Sequence, residues 1–281
     1  MHTKTLILIK CKDAVGLVSS ISNIVAKHEL NIITMREYVD EEHHRFFVRV
    51  VCSGEPQDPI GFAADLKEKL PSNAEIAINP SQKKKIAILV TKEHHCLADI
   101  LVRHYFDTLQ ADVVTVIGNY DDLAHFVKKF DIPFHFVSHE NKTKEVFEQE
   151  LTEQIQKYDV DYIILAKFMR ILSPDFVRQF ENKLINIHHS FLPAFIGANP
   201  YKQAKERGVK IIGATAHFVT DQLDEGPIIT QDIKKIDHSY DLSRMKTMGK
   251  EIEKSVLSRA VQLLVEDRVM LNGNKTIVFK S

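Results

Sequence analysis

The sequence predicts an α/β protein in two parts: a ferredoxin-like βαββαβ domain, then a larger domain built on a doubly wound, mostly parallel sheet. The order of apolar runs over residues 6–78, which is strand, helix, two strands, helix and strand, indicates the first part. Short apolar runs that alternate with amphipathic helical stretches from Ile86 onward indicate the second. We expect domains at residues 1–80 and 86–281, joined by a basic linker at 81–85.

Hydrophobic periodicity sets the expected elements. In the first domain they are strands at 6–9, 32–39, 46–52 and 74–78 and helices at 18–27 and 62–70. In the second domain, strands at 86–90, 111–117, 134–137 and 162–165 alternate with helices at 96–105, 123–130 and 144–158. Further apolar runs lead to Asn186 and Val219, and a helix at 241–266 precedes a hairpin that turns at Asn272-Gly273-Asn274.

Composition excludes several classes of function. The formal net charge is -1, so no overall field attracts the chain to nucleic acid or to a membrane surface. The three cysteines lie far apart in the sequence, which favours a reducing compartment over a disulfide framework. No apolar run approaches the roughly 20 residues of a membrane span, and the first apolar run is too short for a signal peptide. We expect a soluble, cytoplasmic protein with no nucleic-acid or membrane partner.

A polar constellation follows two of the apolar runs. Asn186 and His188 stand two apart, so their side chains point to the same face if the strand continues. A second polar turn contains Asp224, and we expect the two strand ends to meet at one edge of the sheet. Asn, His and Asp together suit acyl chemistry, because they offer amide hydrogens, a proton carrier and a carboxylate. We expect burial to raise the pKa of Asp224.

Neighbouring polar residues have less specific roles. Alternation predicts that His189 points to the opposite face and is structural. His217 and Thr215 either orient water or tie the strands together, and the sequence leaves both open. The loop at 91–96 contains no glycine, so the phosphate loops of NAD and ATP sites are excluded. It includes His94 and His95, for which no carboxylate or cysteine partner is evident at a metal-binding spacing, and we expect no metal site.

The first domain resembles an ACT domain. The resemblance lies in Asp13-Ala14-Val15-Gly16-Leu17-Val18 at the first helix and in His28-Glu29-Leu30-Asn31-Ile32 after it. It implies paired domains that bind a small amino acid, glycine or methionine, near the first loop, and hence a homo-oligomer, either a dimer or a tetramer. A purely oligomerising role is the alternative.

The second domain resembles the formyltransferase fold that uses 10-formyltetrahydrofolate, through three blocks at residues 165–174, 186–193 and 217–227. The resemblance implies that Asn186, His188 and Asp224 are catalytic. It also implies a folate-binding wall, although without the family the sequence favours plain core for Phe168, Met169 and Leu172. Its members are Phe168, Met169, Arg170, Ile171, Leu172, Val219, Thr220 and Asp221.

Within that fold the chain most resembles the formyltetrahydrofolate deformylases. The ACT-like domain, the segment at 197–204, the missing glycine-rich phosphate loop and Lys167, where the transformylases have glycine, all favour them. The resemblance implies metal-independent hydrolysis of 10-formyltetrahydrofolate to formate and tetrahydrofolate, without a prosthetic group. The formate would supply purine biosynthesis and balance the one-carbon pool. The alternatives are a formyltransferase with an amine acceptor and a non-catalytic amino-acid sensor, and the intact Asn-His-Asp set opposes the sensor.

Overall fold

The computed structural model describes residues 3–80, 83–194 and 200–280. The chain forms two compact units, Met1–Gln82 with Asp267–Met270 and Ile277–Ser281, and Lys83–Glu266 with Leu271–Thr276. The boundaries that we expected assign the whole C-terminal segment to the second domain, whereas Asp267–Met270 and Ile277–Ser281 belong to the first unit. One reason is that Arg49 Nε donates a hydrogen bond to the carbonyl oxygen of Asp267, at 3.1 Å.

The first unit has the predicted βαββαβ order, which is confirmed. Its elements are β1 Lys4–Lys12, α1 Leu17–Lys27, β2 Asn31–Asp40, β3 Arg45–Ser53, α2 Pro59–Lys69 and β4 Glu75–Ile78. The strands form an antiparallel sheet in the order β2-β3-β1-β4. Helix α2 begins at Pro59, three residues before the expected start at 62, because Asp58 caps the amide of Gly61 and Pro59 occupies the first turn. The core of this unit includes Ile7, Ile21 and Phe62.

The second unit contains a seven-stranded sheet in the order β11-β10-β9-β8-β5-β6-β7. Its strands are β5 Lys84–Val90, β6 Ala111–Gly118, β7 Phe134–Phe136, β8 Tyr162–Leu165, β9 Leu184–His188, β10 Ile211–Phe218 and β11 Ile228–Lys235. Its helices are α3 His95–Tyr105, α4 Ala124–Lys128, α5 Lys144–Ile155, α6 Pro174–Gln179, α7 Pro200–Arg207 and α8 Leu242–Val265. The fold class that we expected, α/β with a mostly parallel second sheet, is confirmed, and β5 begins two residues inside the predicted linker.

Two elements have no counterpart in the sequence-based expectation. Helix α7 is mostly charged, so it lacks an apolar period, and β11 is a largely exposed edge strand without clear alternation. Part of the segment at 197–204 that favours the deformylases lies outside the described residues, as do the linker residues 81 and 82.

Strands β9 and β10 are antiparallel, which overturns the expectation that their ends share one edge of the sheet. Asn186 pairs with His217, and His188 pairs with Thr215. The loop after β10 therefore has to fold back, and the amide of Phe218 donates to the carbonyl oxygen of Pro227 at 2.9 Å. This close return requires glycine at 226, because a Cβ there would lie 1.8 Å from the Phe218 carbonyl oxygen.

The predicted C-terminal hairpin forms from β12 Val269–Asn272 and β13 Lys275–Val278. Within the second unit its tip supports the returning loop: Asn274 Nδ2 donates to the Glu225 carbonyl oxygen at 3.0 Å, and Thr276 Oγ1 donates to that of Ile228 at 2.5 Å.

None of the helices in the described ranges combines the length and the apolar character that crossing a membrane requires.

Candidate active site

A cavity of about 440 Å³ lies in the second unit, where the loops after β8 and β10 meet the end of β9. Its volume is in the range of small-molecule sites. Every residue that the sequence singled out for the site lines it: Phe168, Met169, Arg170, Ile171, Leu172, Asn186, His188, Val219, Thr220, Asp221 and Asp224. Lys167, His189, His217 and Leu223 also line it; the sequence left the role of His217 open and did not assign the other three to the site.

The His188 ring is held by Asp224. Nδ1 of His188 lies 3.2 Å from Oδ2 of Asp224, and both side chains are less than 10% exposed. An ionised carboxylate can only accept, so Nδ1 carries the proton of this hydrogen bond. The other ring nitrogen, Nε2, is buried and has no hydrogen-bond partner among the described residues. Because His188 lines the cavity, this nitrogen is available to a ligand there.

The Asn186 amide is oriented by His217. Nδ1 of His217 donates to the carbonyl oxygen of Phe218 at 2.8 Å, so its Nε2 is the acceptor of the neutral ring. Nδ2 of Asn186 lies 3.3 Å from that Nε2 and donates to it. Burial lowers the pKa of His217, which keeps the ring neutral and the direction of this bond fixed. One amide hydrogen of Asn186 is thereby committed, and the other is left for the cavity.

The pKa of Asp224 shifts in the direction opposite to the expectation. Burial on its own raises it, but the hydrogen bond from His188 and the electrostatic interactions with the neighbouring histidine rings outweigh burial, so the pKa lies below its ordinary value. Asp224 is therefore an ionised carboxylate at neutral pH. Its Oδ1 is 3.8 Å from Nε2 of His217, beyond hydrogen-bond distance, and can accept from a water molecule. Aspartate also tolerates its left-handed backbone, with φ of 58°.

The expectation for His189 was wrong. Strand β9 ends at His188, so alternation does not carry over to the next residue, and the His189 ring lines the cavity at 5.3 Å from that of His188. Burial and the charge of Lys167 lower the pKa of His189 to about 4, so the ring is neutral.

Thr215 connects β10 to the segment after β9, which is the second of the two roles left open for it. Its hydroxyl donates to the Ser190 carbonyl oxygen and accepts from the amide of Leu192, at 2.9 and 3.1 Å.

The apolar wall is divided between core and cavity. Phe168 is 5% exposed and stacks on Phe147 with ring centroids 6.4 Å apart, so part of this wall is anchored in the core of the second unit. Met169 and Ile171 are more than half exposed. The loop is fixed at its start, where the amide of Met169 donates to Thr91 Oγ1 at 2.9 Å. The exposed apolar surface of an otherwise fixed loop suits a flat ligand ring.

A buried ionic network that no pattern in the sequence indicates lies beside the cavity. Glu253 of α8 is 2% exposed, forms hydrogen bonds with Tyr201 OH at 2.7 Å and His95 Nε2 at 2.8 Å, and pairs with the Lys167 ammonium at 3.2 Å. Burial on its own raises the pKa of Glu253, but the His95 bond, the Lys167 charge and the Tyr201 bond lower it to about 2. Lys167 adopts a left-handed φ of 61°, which costs a residue with a side chain roughly 1–2 kcal/mol.

The network also bears on the metal question. His95, Cys96 and Glu253 lie close enough to hold an ion, so His95 has the carboxylate and thiol neighbours that were not evident in the sequence. The carboxylate comes from α8, far along the chain. Lys167 nevertheless lies 3.2 Å from Glu253, and its positive charge opposes a cation at this position. Burial raises the pKa of the Cys96 thiol, so the thiol stays neutral. The cluster fits an ion pair better than a metal centre.

Comparisons with known proteins agree along nearly the whole chain. Residues 84–261 match the formyl transferase family, and residues 5–67 match the ACT domain family. A formyltetrahydrofolate deformylase of Haemophilus influenzae is 49% identical over 278 residues, which cover 99% of this chain and 100% of that protein. One of Escherichia coli is 50% identical over 268 residues, 95% of each. The crystal structure of a formyltetrahydrofolate deformylase from Pseudomonas syringae matches at TM-score 0.92 and 39% identity, over 99% of this chain and 94% of that one. The chain therefore belongs to the formyltetrahydrofolate deformylase family.

Proposed function

We propose that this protein hydrolyses 10-formyltetrahydrofolate to formate and tetrahydrofolate, with Asn186, His188 and Asp224 as its catalytic residues. The observation that carries this proposal is the buried, unpartnered Nε2 of His188, in a cavity that also holds an oriented amide and an ionised carboxylate. A hydrogen-bond donor and a carboxylate facing one small volume are what addition of water to an amide carbonyl requires.

The mechanism follows from these groups. Water attacks the formyl carbon, and Asp224 accepts from that water through Oδ1. The carbonyl oxygen gains negative charge and receives hydrogen bonds from Asn186 and from Nε2 of a protonated His188 ring, whose Nδ1 donates to Asp224. The bond from carbon to N10 then breaks. One proton of the water goes to N10 and the other is released to solvent, which leaves tetrahydrofolate and formate.

The folate ring would occupy the wall formed by the loops after β8 and β10. Met169 and Ile171 offer apolar surface to a pterin ring, and Thr220 and Asp221 offer backbone groups to its pyrimidine edge. Arg170 is exposed on the same loop, which suits a role in steadying the loop rather than in contacting the formyl group. No prosthetic group is needed for this reaction.

The experiment is release of formate from 10-formyltetrahydrofolate without any amine acceptor. We expect Asp224→Asn to lower kcat by roughly 10²–10⁴, because asparagine keeps the left-handed backbone but cannot take the proton. Asp175→Asn, at an exposed site on α6, is the matched control and should be as active as wild type. Release that begins only when glycinamide ribonucleotide is added would replace the hydrolase with the alternative, an amine formyltransferase. Equal activity in all three proteins would remove Asp224 from the mechanism.

The first unit has a separate proposed role. We propose that the ACT domain binds glycine or methionine beside the loop before α1 and pairs with a second copy, so that the protein is a homo-oligomer, a dimer or a tetramer. Strand β2 supports pairing, because it is a ten-residue edge strand of its sheet. Calorimetric titration with each amino acid and the mass in solution test the two parts, and a monomer that binds neither amino acid would refute both.

The physiological setting follows from the reaction. We propose that the formate supplies purine biosynthesis and that the enzyme balances the one-carbon folate pool. The three cysteines are free and buried, which suits the reducing cytoplasm. Deletion of the gene should raise the cellular ratio of 10-formyltetrahydrofolate to tetrahydrofolate, and an unchanged ratio would contradict the proposed role.

A further inference from the structure

Two side chains with permanent positive charge line the cavity among its described residues, and they differ in burial. Arg170 is exposed, whereas Lys167 is 8% exposed. We propose that the Lys167 ammonium is the binding site for a small carboxylate at the inner end of the cavity, and that its ligand is the formate that the reaction releases. The identity of this ligand rests on the proposed function.

The network leaves Lys167 with hydrogen-bonding capacity. An ammonium group has three donors, and the one ion pair that Lys167 makes with the described residues is to Oε2 of Glu253, at 3.2 Å. The negative charge of Glu253 is shared with two further donors, Tyr201 OH and His95 Nε2. Lys167 is therefore fixed in place by Glu253 without being saturated, and its remaining N–H groups are available to an anion in the cavity.

The charges around the cavity favour an anion at Lys167. Asp224 is ionised, so a second carboxylate produced beside it is repelled unless a cation faces that carboxylate. Two carboxylates on other elements interact with Lys167: Glu253, which forms the ion pair, and Glu93, which is paired with Lys250 at 2.7 Å. The Tyr201 hydroxyl and the Cys96 thiol have raised pKa values, and the His189 ring is neutral, so these three groups add no negative charge. Lys167 thus supplies a buried positive charge to the lining of the cavity.

The position fits the geometry of the product. His189 is a neighbour of both His188 and Lys167. Its ring centroid is 5.3 Å from that of His188, and the charge of Lys167 contributes to lowering its pKa. Formate that forms beside His188 can reach the ammonium without leaving the cavity, because both residues line it. Its two oxygens can accept the free N–H groups of Lys167 while tetrahydrofolate still occupies the wall. The order of product release and the strength of inhibition by formate both follow from this site.

The test measures formate binding in two ways: titration of ¹³C-labelled formate followed by NMR, and inhibition of tetrahydrofolate formation by sodium formate at ionic strength held constant with sodium chloride. We expect Lys167→Met to raise the formate dissociation constant at least about tenfold, because a charge-assisted hydrogen bond is lost. Lys157→Met, an exposed lysine after α5 that does not line the cavity, should bind formate as wild type does.

Two further variants keep the test decisive. Lys167→Met/Glu253→Gln removes both buried charges, so weak formate binding by this folded protein cannot be attributed to an unpaired Glu253. Asp224→Asn should lose activity yet bind formate at least as tightly as wild type, because it lacks the competing carboxylate. Wild-type formate affinity in the double variant, or no formate binding by wild type, would overturn the proposal. Formate binding that depends on Lys167 in a protein without hydrolytic activity would uphold the anion site and refute the proposed function alone.

Discussion

Oδ2 of Asp224 and Nδ1 of His188 lie 3.2 Å apart, and this contact lowers the pKa of Asp224 and orients the His188 ring. Without His188 the buried carboxyl would resist ionisation, and with it the pKa lies below the ordinary value. The carboxylate in turn fixes the ring so that Nε2 remains in the cavity without a partner. The pair is thus prepared before substrate binds.

The first prediction concerns this pair. In wild type the Asp224 carboxyl should titrate below the roughly 3.9 of a free aspartate, and in His188→Gln it should titrate higher, because burial is no longer opposed by that hydrogen bond and charge. ¹³C NMR of labelled aspartate, with the signal assigned through Asp224→Asn, measures both. Since the folded pKa is lowered, the pair stabilises the protein above the unfolded pKa and loses this contribution as pH falls through the folded one. The ¹³C signal of the exposed Asp175 is the control and should be the same in wild type and His188→Gln. If the titration of Asp224 is also the same in the two proteins, His188 is not the cause of its lowered pKa.

The second prediction separates an oxyanion donor from the residue that orients it. Asn186→Ala should lower kcat by roughly 10²–10³ with little change in KM, since the donor acts mainly in the transition state. His217→Phe should cost less, because the amide remains but is no longer directed. The double variant should be no worse than Asn186→Ala alone, since His217 acts through Asn186. Losses that multiply would show that His217 acts independently on the reaction.

The third prediction concerns stability in acid. The pKa of Glu253 is lowered to about 2 from an ordinary 4.5, so its contribution is complete above about pH 4.5 and is lost as pH falls toward 2. A shift of this size corresponds to stabilisation on the order of 3 kcal/mol at neutral pH. Urea unfolding of wild type and Glu253→Gln should therefore give free energies of unfolding that differ most near pH 6 and converge near pH 2. A difference that is independent of pH would mean that packing, and not charge, accounts for the role of Glu253.

The fourth prediction concerns the return of the loop to β10. Gly226→Ala places a Cβ against the Phe218 carbonyl oxygen, so the loop has to shift and carry Asp224 away from His188. We expect a loss of at least tenfold in kcat and destabilisation of about 1–3 kcal/mol, as for other overpacked sites. Gly208→Ala is a useful comparison, because a Cβ there meets nothing within 4 Å and only its positive φ is strained. If the two variants have equal kcat, the close approach at Gly226 does not position Asp224.

What the sequence could predict about the site depended on local pattern. The spacing of Asn186 and His188 is enough to put both on one face, because a strand alternates and β9 includes both residues. The same rule fails one residue later, at His189, because the strand has ended. No local pattern reveals that a strand ends in the middle of a polar run.

The remaining errors are questions of tertiary structure. The direction of β10 depends on how the chain crosses after 194, and the acidic partner of His95 comes from a helix 158 residues away. The sign of the Asp224 pKa shift depends on the balance between burial and its two histidine neighbours, which requires their distances. Fold class is less sensitive, since many apolar runs independently indicate the same alternation of strands and helices.

The hydrogen bonds from Asn274 and Thr276 to the loop beyond Asp224 have a consequence for thermal inactivation. Both hydrogen bonds are exposed and are made by a short hairpin, which belongs to the parts of a fold that open most easily, whereas the strands of the seven-stranded sheet are largely buried. Gentle heating is expected to release the hairpin tip first and then the loop after β10 that contains Asp224, while the rest of the second unit is still native. Catalysis would therefore fail several degrees below the melting temperature and return on cooling, so that enzyme lifetime and fold stability become independently adjustable properties.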